Sequence, residues 1–322
     1  MKRREFITLL GGVAAATWAP AARAQGDRVR RVAVLALAPS TVMLAAMAVL
    51  REELQKLGWR EGYNLRLDVR IADDAAALQV ASEEVVKSAP EVIFAIAGPA
   101  TGVLQTLTHT IPIVFVGGGN PAEGGLVRNV ARPEGNITGF ANIFPTLGGK
   151  WLELLKEVAP RVTRAAILFH PDRGGGGLIA SIESAATQLG ATTVRTPFRN
   201  SAEIESAVEA FATEPSGALI LVGPIPEPAE IRTIQRLVLK YRLPLVNQFP
   251  GEIVLISYAA DGSDLVRGAA SYIDRILRGA KPGELPVQFP TRLRLVIDLK
   301  AARAIGLTVP ASMLLRADEV IE

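Results

Sequence analysis

The sequence predicts an α/β protein with two lobes, each built on a parallel sheet covered by helices. Three observations support this prediction. Short β-branched runs alternate with helical segments, and the alternation starts again after residue 139. The length of 322 residues exceeds that of a usual single core. The last third is too short for a third domain, so we expect the chain to return and complete both lobes.

The first half predicts strands at residues 32–37, 65–71, 92–97 and 112–116. The third and fourth runs are apolar throughout, as in strands covered on both faces. Helices are expected from residue 41 and over 75–87. The first of these helices carries one apolar face, formed by Leu44, Met47, Leu50, Leu54 and Leu57.

The second half repeats the pattern. We expect strands at 165–170, 192–196 and 218–222, and helices at 151–158, 178–189, 203–211 and 230–241. The tail predicts a strand at 253–258, a helix at 265–277, and a strand running into a helix over 293–305. Helices between strands are the usual connection in a parallel sheet.

The economical assembly assigns residues 28–142 plus 258–281 to lobe 1, and residues 143–257 plus 282–322 to lobe 2. The chain would then cross between lobes near Ile143, Ser257 and Pro282. Three such crossings form a hinge, which lets a cleft between the lobes open and close.

Residues 1–24 predict an export signal. A charged head of Lys2, Arg3 and Arg4 precedes an apolar stretch over 6–18, and small residues end it, with cleavage expected between Ala24 and Gln25. The arginine pair favours the twin-arginine route, and general secretion is the alternative. Both routes place the mature protein in the periplasm.

Another uncharged run, over residues 32–50, raises the alternative of a membrane span. Pro39, Ser40 and Thr41 interrupt this run, and the second part continues into a helix with charged residues. A strand, a loop and a helix lying on a sheet are therefore the favoured interpretation. We expect no membrane insertion after signal removal.

The charge balance excludes several function classes. The leader holds four of the 35 basic residues and one of the 32 acidic residues, so 31 of each sign remain. A neutral chain has no electrostatic footprint for nucleic acid. Without cysteine, disulfides, thiolate metal sites and a lipid anchor are excluded. With only two histidines, we expect no metal and no cofactor.

The ends of three predicted strands in lobe 1 point to a ligand site. Parallel sheets bind ligands at the carboxyl ends of their strands, where helix N-termini offer N–H groups that favour an anion. A carboxylate is therefore the expected guest. Each hydroxyl residue there would otherwise serve as an ordinary helix cap. The candidates are Ser40, Thr41, Gly98, Pro99, Thr101, Gly119 and Asn120.

Lobe 2 and the hinge supply the matching candidates. A catalytic or metal role for the histidine is disfavoured, because no cysteine or second histidine lies nearby; a loop cap or a hydrogen bond in the cleft wall fits better. Each aspartate would suit a cationic amine or cap a helix, and the sequence leaves both interpretations open. The candidates are Phe144, His170, Asp172, Pro224, Asn247, Tyr258 and Asp261.

Several motifs resemble one known family. They are RREFITLLGG near the start, IPIVFVGGGNPAEGGLV from Ile111, RPEGNITGF from Arg132, and the tail from Ile276. The chain resembles ABC-transporter substrate-binding proteins of the tryptophan/tyrosine type. This resemblance implies a type I periplasmic binding fold with two Rossmann-like lobes. It also implies capture of a small solute and delivery to a membrane permease that works with a separate ATPase.

Two residues depart from the family pattern. Relatives commonly have Asp where this chain has Asn120, and Asn where it has His170; the segment over 244–257 is also shorter. An amide in place of a carboxylate removes a charge that would hold an ammonium group. A standard amino acid is therefore less firmly indicated than a carboxylate-bearing solute in general.

Two other functions compete with solute transport. An enzyme on the same fold is disfavoured, because the chain has no nucleophile elbow, metal cluster or recognisable pair of catalytic carboxylates. A receptor that passes its ligand signal to a membrane protein needs the same cleft closure, so fold alone does not separate sensing from transport.

Overall fold

Two sheets divide the chain between two lobes, which confirms the predicted α/β architecture. The computed structural model describes residues 28–37, 41–96, 98–122, 124–144, 146–171, 175–223, 228–249 and 254–322. The predicted leader, with its cleavage site at Ala24 and Gln25, lies outside these ranges.

The first lobe contains a five-stranded parallel sheet in the order β2-β1-β3-β4-β5. Buried residues cover both of its faces, as the continuous apolar runs predicted. The strands are β1 (Arg30–Leu37), β2 (Leu65–Ala72), β3 (Val92–Ile96), β4 (Ile113–Val116) and β5 (Ile137–Phe140).

The second lobe contains a seven-stranded sheet in the order β12-β11-β10-β9-β8-β6-β7. Its pairs are parallel except β10 with β11, which run antiparallel. The strands are β6 (Arg164–Phe169), β7 (Thr192–Pro197), β8 (Gly217–Val222), β9 (Leu245–Asn247), β10 (Ile256–Ala260), β11 (Leu293–Asp298) and β12 (Glu319–Ile321).

Helices connect these strands as the 3.6-residue periodicity predicted. The longer ones are α1 (Thr41–Lys56), α2 (Ala75–Lys87), α3 (Gly98–Leu107), α4 (Leu147–Val158), α5 (Gly176–Gln188), α6 (Ser201–Ala212), α7 (Pro228–Tyr241) and α8 (Gly262–Leu277). A 3-10 turn spans Pro282–Glu284, and α9 (Leu299–Ala304) and α10 (Ala311–Leu314) are short.

The uncharged run over residues 32–50 is divided between β1 and α1. Within the described ranges, no helix has both the length and the apolar character needed to cross a membrane.

Two of the expected lobe boundaries, at residues 258 and 282, do not lie at chain crossings. Tyr258 lies within β10, which pairs with β9 and β11 of the second sheet, so the second crossing comes after Ala260. The 3-10 turn at Pro282 stays with the first lobe, where the Glu134 N–H donates to the Gly283 carbonyl (3.3 Å). The boundary expected at 282 is therefore wrong, because that proline marks a turn and not a change of lobe.

The third crossing follows residue 289. Before it, the chain runs beside β5: the Gln288 N–H donates to the Gly139 carbonyl, and the Ala141 N–H donates to the Gln288 carbonyl, both at 2.9 Å. Phe289 still packs on the first core, whereas Leu293 packs on the second.

Helix α8 belongs to the first lobe although it comes late in the chain. One of its faces packs with α1 on the sheet. Its Tyr272 ring lies 4.8 Å from the Phe140 ring, centroid to centroid, and its hydroxyl donates to the Pro286 carbonyl at 2.7 Å. Tyr272 thus joins the helix, the end of β5 and the segment that leads to the third crossing.

This packing requires a glycine in α8. A Cβ atom on Gly268 would lie 2.2 Å from the Phe140 ring, so the ring or the helix would have to move. We predict that Gly268→Ala lowers the free energy of unfolding by about 1–3 kcal/mol, the usual cost of overpacking. Urea denaturation of the purified protein measures this change.

Gly262→Ala is the matched control. Gly262 begins the same helix, and a Cβ atom there would meet nothing within 4 Å. We expect its stability to be unchanged or slightly raised, since alanine favours a helix. Equal effects of the two substitutions would contradict the role assigned to the Gly268–Phe140 contact.

Candidate functional site

The carboxyl edges of the two sheets face each other across the chain crossings. Strands β5 and β10 end at these edges, and β11, being antiparallel to β10, begins there. All three crossings therefore join the same pair of edges. The loops that follow the strands lie at these edges, which is where open α/β sheets bind ligands.

Two glycines bring the loops after β3 and β4 into contact. A Cβ atom on Gly98 would lie only 3.0 Å from the Gly118 Cα atom, so neither position has room for a side chain. Gly117, Gly118 and Gly119 also have φ angles of +90°, +84° and +77°. Glycine is the residue that adopts such angles without steric cost.

This contact places the glycine loop beside the start of α3. Gly98 and Pro99 form the first turn of that helix, where backbone N–H groups have no partner within the helix and the partial charge is positive. Gly98 is half-buried and Pro99 is exposed. The predicted lobe 1 candidates at this strand end therefore reach the edge of the sheet.

Thr101 differs from its neighbours. It lies in the same first turn, but only 1% of its surface is exposed, so it packs inside the lobe. The expected contact between its hydroxyl and a solute does not match this position. Helical periodicity explains the contrast with the exposed Pro99, because residues two positions apart point to opposite faces of a helix.

Gly119 and Asn120 follow in the glycine loop. The Gly119 N–H donates to Oδ1 of Asn142 at 3.2 Å, and Oδ1 of Asn120 accepts the Ala122 N–H at 3.2 Å. Asn142 was not among the sequence candidates. Its contact joins residues 23 positions apart.

The remaining candidates are Ser40, Thr41, Asp172 and Pro224. Thr41 is the first residue of α1. Ser40, Asp172 and Pro224 lie outside the described residues.

In the second lobe, buried amides join the ends of three neighbouring strands. Asn247 is only 7% exposed, and its Oδ1 accepts the Gln248 N–H at 2.6 Å. The Gln248 side chain donates to the Gly223 carbonyl after β8 (2.6 Å), and its carbonyl accepts the Ser257 hydroxyl of β10 (3.0 Å). Asn247, which was predicted to contact the ligand, thus belongs to a buried hydrogen-bonded cluster at this edge.

Aromatic side chains lie along this second edge. His170 follows β6 and is half-buried, with its ring edge-on to Phe198 at 6.1 Å between centroids. Phe144 and Tyr258 are also half-buried and pack on the second core. The buried Trp151 donates from Nε1 to the Tyr258 carbonyl at 2.7 Å, which holds β10 against α4.

Asp261 acts as a helix cap. One carboxylate oxygen accepts the Ser263 N–H at 2.8 Å in the first turn of α8, and the other lies 3.7 Å from Nη1 of Arg294. The sequence left open whether Asp261 caps a helix or meets a cationic amine, and the structure shows the helix cap. Among the described residues, no group of three His, Asp or Glu side chains is placed to hold a metal.

Comparison with known families agrees with this architecture. Residues 31–321 match the family model described as ABC transporter substrate binding protein. The chain belongs to this family. The resemblance of the sequence motifs is thereby confirmed.

Relatives of this substrate-binding protein cover most of its length. A curated tyrosine-binding protein from Clostridioides difficile is 20% identical over 265 residues, which is 79% of this chain and 74% of the relative. A solved domain from Streptococcus pneumoniae in complex with L-Trp has a TM-score of 0.80 at 22% identity; the match covers 91% of this chain and all of the other.

A conserved domain protein from Vibrio cholerae is 27% identical, with a TM-score of 0.78; the match covers 91% of this chain and all of the other. These solved structures share the two-lobed fold with the substrate-binding protein described here.

The buried amide cluster should stabilise the second edge. We predict that Gln248→Leu lowers the free energy of unfolding by about 1–3 kcal/mol, because the carbonyl of the half-buried Gly223 loses its donor. Thermal or urea denaturation measures the loss. Gln79→Leu on the exposed side of α2 is the control and should change stability by less than about 0.5 kcal/mol. A loss of similar size in the control would contradict this role of Gln248.

Proposed function

We propose that the protein is the periplasmic receptor of an ABC importer. It captures a small carboxylate-bearing solute, an amino acid or an aromatic or organic acid, between its lobes. The observation that carries this proposal is the contact between Gly98 and Gly118, which presents the start of α3 and three left-handed glycines at one edge.

The first edge suits the carboxylate. Backbone N–H groups at a helix N-terminus attract an anion by hydrogen bonding and by the partial positive charge of the helix. Gly98 leaves these groups open to a ligand, because it carries no side chain over the backbone; the Gly119 N–H of the neighbouring loop already donates to Asn142. Asn120 adds an amide and no charge.

The second edge suits the body of the solute. Phe144, His170 and Tyr258 are half-buried residues of the second lobe, and in this proposal their rings pack on the body of the solute. Two relatives, a tyrosine-binding protein and a domain solved in complex with L-Trp, agree with a ring-bearing solute. Closure would enclose the solute between the two edges.

Export and delivery complete the proposed role. The leader, ending at Ala24, directs the chain out of the cytoplasm, by the twin-arginine route in our proposal. In this proposal the mature protein hands its solute to an inner-membrane permease that works with a separate ATPase. It needs no cofactor and performs no chemistry on the solute.

A thermal-shift panel tests the carboxylate requirement. We expect L-tryptophan or indole-3-propionate to raise the melting temperature by several degrees, because a solute at 100 times its Kd adds about 2.7 kcal/mol. Tryptamine, which has the same ring but lacks the carboxylate, should have no effect. L-Tyrosine, L-leucine and benzoate extend the panel.

Comparing L-tryptophan with indole-3-propionate shows whether the ammonium group contributes. Stabilisation by tryptamine equal to that by L-tryptophan would contradict the proposed carboxylate site. Conversion of a stabilising solute into a product, followed by chromatography, would overturn the receptor role.

The glycine contact makes a second test. Gly98→Ala should weaken binding of the best stabiliser in the panel by about tenfold or more, since its Cβ atom would push the two loops apart. Gly102→Ala is the control in the same helix, because a Cβ atom there meets nothing within 4 Å. Isothermal titration measures both affinities. Equal affinities of the two variants would remove the Gly98–Gly118 contact from the site.

A further inference from the structure

Asn142 stands where the chain passes from one hydrophobic core to the other. Its predecessor, Ala141, is completely buried in the core of the first lobe. Its successor, Ile143, is 8% exposed and belongs to the core of the second lobe. Packing therefore anchors the residues on both sides of Asn142 to different lobes, and rotation of the lobes must be absorbed close to this residue.

The side chain of Asn142 reaches the glycine loop. The Gly117 N–H donates to the Phe140 carbonyl at 2.9 Å and extends the pairing of β4 with β5 by one residue. The Gly119 N–H then donates to Oδ1 of Asn142 at 3.2 Å. The backbone of β5 thus holds Gly117, and the side chain of Asn142 holds Gly119 two residues further along the loop.

The glycine loop needs support from outside. Gly117, Gly118 and Gly119 all have positive φ angles, and glycine loses more conformational freedom on ordering than any other residue. These three residues have no side chains to hold them in place. Its shape also controls the contact with Gly98 at the start of α3.

We propose that Asn142 is a positioning residue that couples rotation at the first crossing to the shape of the glycine loop. A change in its φ and ψ angles moves its Oδ1 relative to the Gly119 N–H. The loop is then held in one arrangement of the lobes and released in another. A solute that needs the ordered loop favours the arrangement that keeps the bond. This last step rests on the proposed function; the coupling itself does not.

The test begins without any solute. Asn142→Leu removes the acceptor at nearly constant size, Asn142→Ala removes it with less bulk, and Asn142→Asp keeps an acceptor oxygen. Asn129→Leu is the control, because Oδ1 of Asn129 accepts the Ala131 N–H (2.9 Å) in a different loop. Circular dichroism verifies that each variant is folded.

Two measurements are compared. Hydrogen exchange of the Gly119 amide, followed by NMR, should become about tenfold faster in the Leu and Ala variants and stay unchanged in the Asp variant and the control. Spin labels on Val80→Cys and Leu239→Cys, exposed positions in different lobes of a chain without cysteine, report the distance between the lobes. The distribution of this distance should broaden in the Leu and Ala variants only.

Any of three results overturns the proposal. Unchanged Gly119 exchange in the Leu and Ala variants, or equally fast exchange in the Asp variant, shows that the oxygen does not hold the loop. Faster exchange with an unchanged distance distribution shows that the loop and the crossing are not coupled.

Titration with L-tryptophan tests whether Asn142 affects solute binding. We expect about tenfold weaker binding to the Leu variant than to the wild-type chain. If the wild-type chain does not bind L-tryptophan, that result counts against the proposed amino-acid solute, whereas exchange and distance still decide the role of Asn142. Equal binding by the two chains would contradict the link between the loop and the solute.

Discussion

The structure depends on the fact that all three chain crossings lie at the carboxyl edges of the two sheets. In a parallel sheet every strand ends at the same edge, so β5 and β10 leave their sheets there without any special arrangement. The third crossing must enter the second sheet at that same edge. It does so because β11 runs antiparallel to β10. The change of strand direction between β10 and β11 thus brings the third crossing to the same edges as the other two.

A hinge transmits motion only if the lobes on either side of it are firm. In the first lobe, α8 is returned to the sheet by the second crossing and packs over Phe140 through Gly268 and Tyr272. The hydroxyl of Tyr272 also holds the segment before the third crossing through the Pro286 carbonyl. The ends of the first lobe are therefore tied to each other, and bending is confined to a few residues between the cores.

The two edges that face each other differ in chemistry. The first presents backbone N–H groups and glycines, and its side chains are small or directed inwards, as for Thr101. The second presents rings, and the buried amides of Asn247 and Gln248 join the strand ends of the same edge. A solute with a charged end and an apolar body matches this difference. Neither edge alone encloses such a solute, so binding and closure belong together.

The sequence alone predicted the two-lobed fold and most strands and helices, because the alternation and spacing of apolar residues are properties of neighbouring positions. It also indicated the loop at Gly98, since a glycine and a proline at a helix start are a local signal. It did not show that Tyr258 lies in the second sheet or that Pro282 stays with the first lobe, because strand pairing joins residues far apart in the chain.

Only the tertiary structure showed that Asp261 caps α8, that Thr101 is enclosed, and that Asn142 holds Gly119 across 23 residues. Whether a polar side chain faces a solute or another part of the chain depends on which distant backbone groups lie within hydrogen-bonding distance. Local sequence determines the conformation of each segment, and packing between segments decides which partner each polar group meets.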